Sequence, residues 1–100
     1  MDNINNNIAN WSFFSNNAHV LVCLNHKPQP TLREIAVQVG ITERAVQRIL
    51  SKLITTGVVD VSKEGRRNRY KLNLDQPLRH PLESHKTIGE VLRLIGDEHW

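Results

Sequence analysis

A mainly α domain with one small antiparallel β-hairpin is what this sequence predicts, and three observations predict it. Apolar residues recur at helical spacing in three stretches before Gly57 and again after Pro81. Between them, from Val59 to Leu74, the apolar period shortens to two. The chain has 100 residues, 39% of them hydrophobic and 23% charged, enough for one small core without disulfides or metal and too few for two independent domains.

The elements follow in order. Residues 1–10 hold five Asn and two isolated Ile, too little apolar content to anchor an element, and read as a disordered tail. Trp11, Phe13 and Phe14 then gather ahead of Ser15, an N-cap for a first helix over Asn16 to His26 whose apolar face is Val20, Leu21 and Leu24. Lys27-Pro28-Gln29-Pro30 stops it, since proline lacks an amide hydrogen and biases its predecessor away from the helix. Thr31 and Glu34 form a capping-box pattern for a short second helix carrying Leu32, Ile35, Ala36 and Val39. Gly40 suits a left-handed cap, and Thr42 caps a third helix with the stripe Ala45, Val46, Ile49, Leu50, Leu53 and Ile54. A hairpin follows, with Val59 and Val61 on one strand, a glycine turn near Glu64 to Asn68, and Tyr70, Leu72 and Leu74 on the other. Pro77 and Pro81 interrupt the chain before a last amphipathic helix over Glu83 to Ile95.

Ala36, Gly40 and Val46 stand at relative positions zero, four and ten, the spacing of a helix-turn-helix. Ala36 is small where two helices approach, Gly40 takes the positive φ of the turn, and Val46 closes the wedge with Ile35, Val39, Ile41 and Ile49. That packing leaves Thr42, Glu43, Arg44, Gln47, Arg48 and Ser51 outward, donor-rich side chains suited to base edges and phosphates.

Charge points the same way. Residues 27–71 hold ten Lys or Arg against four Asp or Glu, whereas the rest of the chain is net acidic. Lys63, Arg66, Arg67, Arg69 and Lys71 crowd around the hairpin tip, where mutual repulsion gains the fold nothing and an anionic backbone would relieve it.

From Thr31 to Leu50, then Gly57 and the stretch Lys63 to Lys71, the chain resembles the winged-helix DNA-binding domains of MarR-like and ArsR-like transcription regulators, over about Phe13 to Leu74. The resemblance implies a winged helix-turn-helix whose third helix enters the major groove while the wing lies along a minor groove or phosphate ridge, usually in a two-fold dimer. Thr42, Arg44, Gln47, Arg48 and Ser51 would then read bases or position on phosphates, and Lys63, Arg66, Arg67 and Arg69 would grip the backbone or the minor groove. The long dimerisation helices of MarR-like proteins and any ligand box are missing, so the effector class does not carry over.

The expected division is residues 1–10 as tail, 11–76 as the DNA-binding domain and 77–100 as linker and C-terminal dimerisation helix. The stripe Ile88, Val91, Leu92 and Ile95 lies outside the expected winged-helix core and needs cover. Pairing with a second copy, completed by Trp11 and Phe14, is the favoured cover, because a homodimer offers two third helices to half-sites one DNA turn apart. Folding back onto the first helix is the alternative.

Other function classes receive less support. His19, Cys23 and His26 fall at i, i+4 and i+7 and open a metal-sensing alternative, although a fourth ligand is absent nearby; His80, His85 and His99 read as solvated. No nucleophile elbow, phosphate loop or redox cysteine pair occurs, so neither an enzyme nor a cofactor is expected. A winged helix serving as a protein-interaction module is the remaining rival, and the arginine-rich wing argues against it. The longest wholly apolar run, Val20 to Leu24, is too short to span a membrane, no secretion signal is expected, and the lone Cys23 fits a cytoplasmic chain.

Overall fold

Three of the helices begin where a threonine accepts the first free amides. In the computed structural model, which describes residues 11–96, the elements are α1 (Asn16–Leu24), α2 (Leu32–Val39), α3 (Glu43–Thr55), β1 (Val59–Glu64), β2 (Arg67–Leu72) and α4 (Ile88–Ile95). Thr31 and Glu34 exchange hydrogen bonds as a capping box at α2, and the Thr42 hydroxyl oxygen accepts from the Ala45 amide at α3. Between them Gly40 sits at φ 86° and donates to the Ala36 carbonyl at 2.8 Å, so the turn of the helix-turn-helix is made where a side chain would be strained. The tail expected over residues 1–10, and His99, lie outside the described residues.

One core joins all four of these helices to the root of the hairpin. Val20, Leu21, Cys23 and Leu24 of α1 meet Ile35 and Ala36 of α2 and Val46, Leu50 and Leu53 of α3, with Val58 and Val59 beneath. Val39, Ile41 and Ile49 pack half-buried against the same cluster and complete the expected wedge. The two strands pair antiparallel from Val59 opposite Leu72 to Glu64 opposite Arg67. Val59 is 0% exposed and Leu72 and Tyr70 of β2 pack half-buried against the core, but Val61, two residues on from Val59, is 42% exposed, so the outer part of the hairpin projects from the body.

Three sequence expectations are corrected. The first helix stops at Leu24, short of His26, and Asn25 closes it by donating its amide to the Leu21 and Val22 carbonyls. The last helix starts at Ile88, not Glu83. Residues 76–78 and 86–88 run antiparallel, with Leu78 donating to the Lys86 carbonyl at 2.9 Å and a bridge between Pro77 and Thr87, so Glu83 belongs to the intervening turn. A second capping box, Thr87 with Glu90, then begins α4.

The third correction concerns what α4 covers. Ile88 and Leu92 are buried in this chain's own core, so these two residues make intrachain contacts rather than a free dimerisation stripe. Gly89 permits the seating: a Cβ there would lie 3.2 Å from the Leu74 carbonyl oxygen, which already accepts the Gly89 amide. Val91 and Ile95 remain half-buried and Leu94 is exposed.

Candidate nucleic-acid interface

The candidate surface is set by the two sides of α3. Val46, Leu50 and Leu53 hold one side in the core, and on the other Arg44, Gln47, Arg48 and Ser51, spaced i, i+3, i+4 and i+7, are all exposed. Thr42 stands at the N-terminal edge of this face. Its oxygen is used by the cap, which leaves its O–H free to donate. Glu43 carries a second function at the same edge: Arg33 Nε of α2 meets its Oε2 at 3.3 Å and ties the two helices together outside the core. Both side chains are solvated, so the pair contributes at most about 1 kcal/mol.

The wing's cations divide between faces. Directly paired residues share a side of a sheet, so Lys63 and Asn68 lie on the face of Val61 and Tyr70, while Arg67, Arg69 and Lys71 lie on the other with Asp60 and Glu64. Gly65 at φ 66° and Arg66 make the two-residue turn between them. Asn68 is therefore a strand residue, and Gly65 supplies the positive φ of the turn. Arg69 Nε pairs with Glu64 Oε1 at 2.9 Å, and Arg67 Nη2 donates to the Gln29 carbonyl at 3.4 Å. Lys63, Arg66 and Lys71 carry no ion pair among the described residues and face solvent.

Polar side chains with no signature in the local sequence pattern fix the wing to the body. The Gln29 amide bonds both backbone groups of Tyr70, the Asn73 amide donates to the Gly57 carbonyl at 2.8 Å, and Gln76 donates to the Thr56 carbonyl at 3.3 Å. All three reach main-chain groups far away in sequence, beyond the range of any helical or strand period.

Two hollows flank the half-buried Phe14. One, of about 700 Å³, runs between Phe13, Leu21, Leu53 and Val91; the other, of about 430 Å³, is lined by His19, Val39 and Ile95. Trp11 and Phe13 stand largely exposed, packed edge to face with centroids 5.9 Å apart.

The metal-sensing alternative finds no geometry to support it. Among the described residues no group of three or more His, Cys, Asp or Glu could hold a metal ion. Cys23 is a core residue whose thiol is pushed up in pKa by burial, away from the thiolate a metal needs, and His19 Nδ1 is hydrogen-bonded to Asn16 Oδ1 at 3.0 Å. Among the described residues no helix is long and apolar enough to cross a membrane.

A glycine-turned helix pair with an exposed recognition face and a projecting cationic hairpin defines a winged-helix domain of the transcription-regulator class. Residues 12–73 match the family model described as sugar-specific transcriptional regulator TrmB, and the chain belongs to that family, which is one of regulators and not of enzymes. The matched stretch contains every residue of α3 and of the wing. No curated protein and no solved structure matches the chain.

Proposed function

We propose that this chain is a cytoplasmic, homodimeric regulator of transcription that binds specific sites in duplex DNA. The observation that carries the reading is the arrangement of α3, whose outward Arg44, Gln47, Arg48 and Ser51 sit on a helix anchored by its opposite face, next to a cationic hairpin. Gln47 has the amide geometry for adenine, and Arg44 and Arg48 have the fork for guanine or phosphate. Thr42 and Ser51 donate to phosphates at the two ends of the face, and Lys63, Arg66, Arg67 and Arg69 hold a neighbouring phosphate ridge. A titration of labelled duplex over a salt series tests it. Binding that weakens linearly in log–log form, with a slope reflecting several phosphate contacts, is expected, and absence of binding at low salt contradicts it.

The dimer reading rests on Phe14, Val91 and Ile95, apolar side chains lining the two hollows that their own chain leaves partly uncovered, and on the exposed Trp11. With Ile88 and Leu92 in the core, the variants that separate copies without unfolding them are Trp11→Ser and Ile95→Asp. Sedimentation is expected to give a dimer for the native chain and a folded monomer for the double variant, which binds a palindromic site more weakly. A native monomer at tens of micromolar contradicts the dimer.

A further inference from the structure

Gln29 stands between Pro28 and Pro30 in the link from α1 to α2. Flanking prolines have no amide hydrogen to offer the exposed edge of β2, so the link cannot extend the sheet with a run of backbone bonds. The Gln29 side chain substitutes for one. Its Nε2 donates to the Tyr70 carbonyl at 2.8 Å and its Oε1 accepts from the Tyr70 amide at 3.0 Å, the two bonds a neighbouring strand residue would make. Nε2 also donates to the carbonyl of Leu24, the last residue of α1, at 2.9 Å. The Gln29 carbonyl, finally, accepts from Arg67 Nη2 at 3.4 Å. One side chain thus joins the end of α1, the middle of β2 and, through its own backbone, an arginine near the wing tip.

The position of this clamp is informative. Beyond Val59 strand β1 has left the core, Val61 is 42% exposed, and the half-buried Tyr70 opposite it is the outermost wing side chain that packs against the core, so little apolar contact sets the wing's direction from that height to the tip. We propose that Gln29 is a positioning residue for DNA binding: its amide fixes the angle between the wing and α3, so that wing and recognition helix meet the duplex together. The inference rests on the DNA-binding reading above. It assigns Gln29 no contact with DNA; the residue acts through Tyr70 and Arg67.

The test uses the full chain and a fixed labelled duplex over a salt series. Gln29→Ala is expected to unfold cooperatively with native helical content, to bind about tenfold more weakly, and to lower the log–log salt slope by about one unit or more, each unit standing for one phosphate that the wing no longer reaches. In a background with Lys63, Arg66, Arg67 and Arg69 all replaced by Ala the same substitution should change neither affinity nor slope further, because the cationic side chains it positions are already absent. Gln29→Glu keeps the size and the acceptor but loses both donated bonds at neutral pH. Protonation as the pH is lowered restores one donor, so this variant should regain part of the affinity relative to the native chain at acid pH. It also replaces Gln29→Ala in the comparison should that variant fail to fold. A weakened variant with the native salt slope, or equal further loss in the wing-deleted background, reduces Gln29 to a purely structural residue and overturns the proposal. If the native chain itself shows no salt-dependent binding, the DNA reading fails and the positioning role with it. Amide exchange at Tyr70, protected in the native chain and fast in Gln29→Ala, reports the clamp independently of DNA.

Discussion

Helix α3 and the wing offer solvent similar chemistry, guanidinium and amide donors, yet they are held in place by different means. α3 is fixed by burial: Val46, Leu50 and Leu53 lock one side, and the exposed side follows from the helical period. The wing has only Val59, Leu72 and the half-buried Tyr70 against the core, and polar side chains, chiefly Gln29 on the edge of β2 and Asn73 at the hairpin root, supply the rest of its attachment. The charges differ as well. Arg44 and Arg48 have no ion pair among the described residues, whereas Arg69 of the wing is held by Glu64. A surface positioned by burial is stiff and its side chains are free to read a partner, while a surface positioned by hydrogen bonds can be retuned by changing one amide.

The largest expected effect separates the two sides of α3. Leu50→Ala removes a fully packed side chain and should cost about 2 to 5 kcal/mol of stability, seen as a lower denaturant midpoint with an unchanged slope. Gln47→Ala, on the exposed side, should stay within about 0.5 kcal/mol of the native chain. Similar losses from both would remove the distinction between anchoring and reading faces.

A smaller effect sharpens the wing. Replacing Arg66, Arg67 and Arg69 together by Ala should weaken binding to every duplex and reduce the log–log salt slope by about one unit for each phosphate left without its arginine. Among the single variants Arg69→Ala should matter least, since Glu64 already occupies its guanidinium, and Glu64→Gln should tighten binding by releasing it. Anisotropy measured across the salt series decides the order; Arg69→Ala as the worst of the three would mean that the ion pair opens on DNA.

The smallest effect lies far from both regions, at the start of α4. The Glu90 carboxylate accepts the Thr87 amide, and this bond, helped by the nearby charges of Lys86 and Arg93, holds its pKa below the ordinary 4.5. A lowered carboxylate pKa stabilises the fold above the ordinary value and loses that contribution as pH falls through the lowered one. Thermal melts between neutral pH and pH values below 4.5 should therefore show a shallower acid decline for Glu90→Gln than for the native chain. Parallel declines would mean that the capping box is not formed in solution.

Legibility in the sequence follows the same division. Helix α3, its cap at Thr42, the turn at Gly40 and the buried Ile35, Ala36 and Val46 could be read directly, because each depends on neighbours within one or two helical turns. The start of α4 was readable in principle from Thr87 and Glu90, but the break at Pro81 drew the expected start back to Glu83, although residues 83–87 carry no apolar side chain. The fate of Ile88 and Leu92 was not readable, since an amphipathic stripe reports that it needs cover and not which surface provides it. The cationic wing was legible as composition, but its two faces depend on strand register, and the roles of Gln29, Asn73 and Gln76 depend on long-range hydrogen bonds that no local pattern records.

The central claim is that α3 reads base pairs while the wing holds the backbone, and selection of bound fragments from random duplex DNA tests it most directly. The native chain should enrich one motif. Gln47→Ala and Arg48→Ala should each relax preference at particular base pairs, a discrimination loss of about 1 to 3 kcal/mol for each bidentate pair removed, and the wing variant should return the native motif at lower affinity. Enrichment of no motif, or the same motif from the native chain and both α3 variants, would contradict the assignment of base reading to this helix.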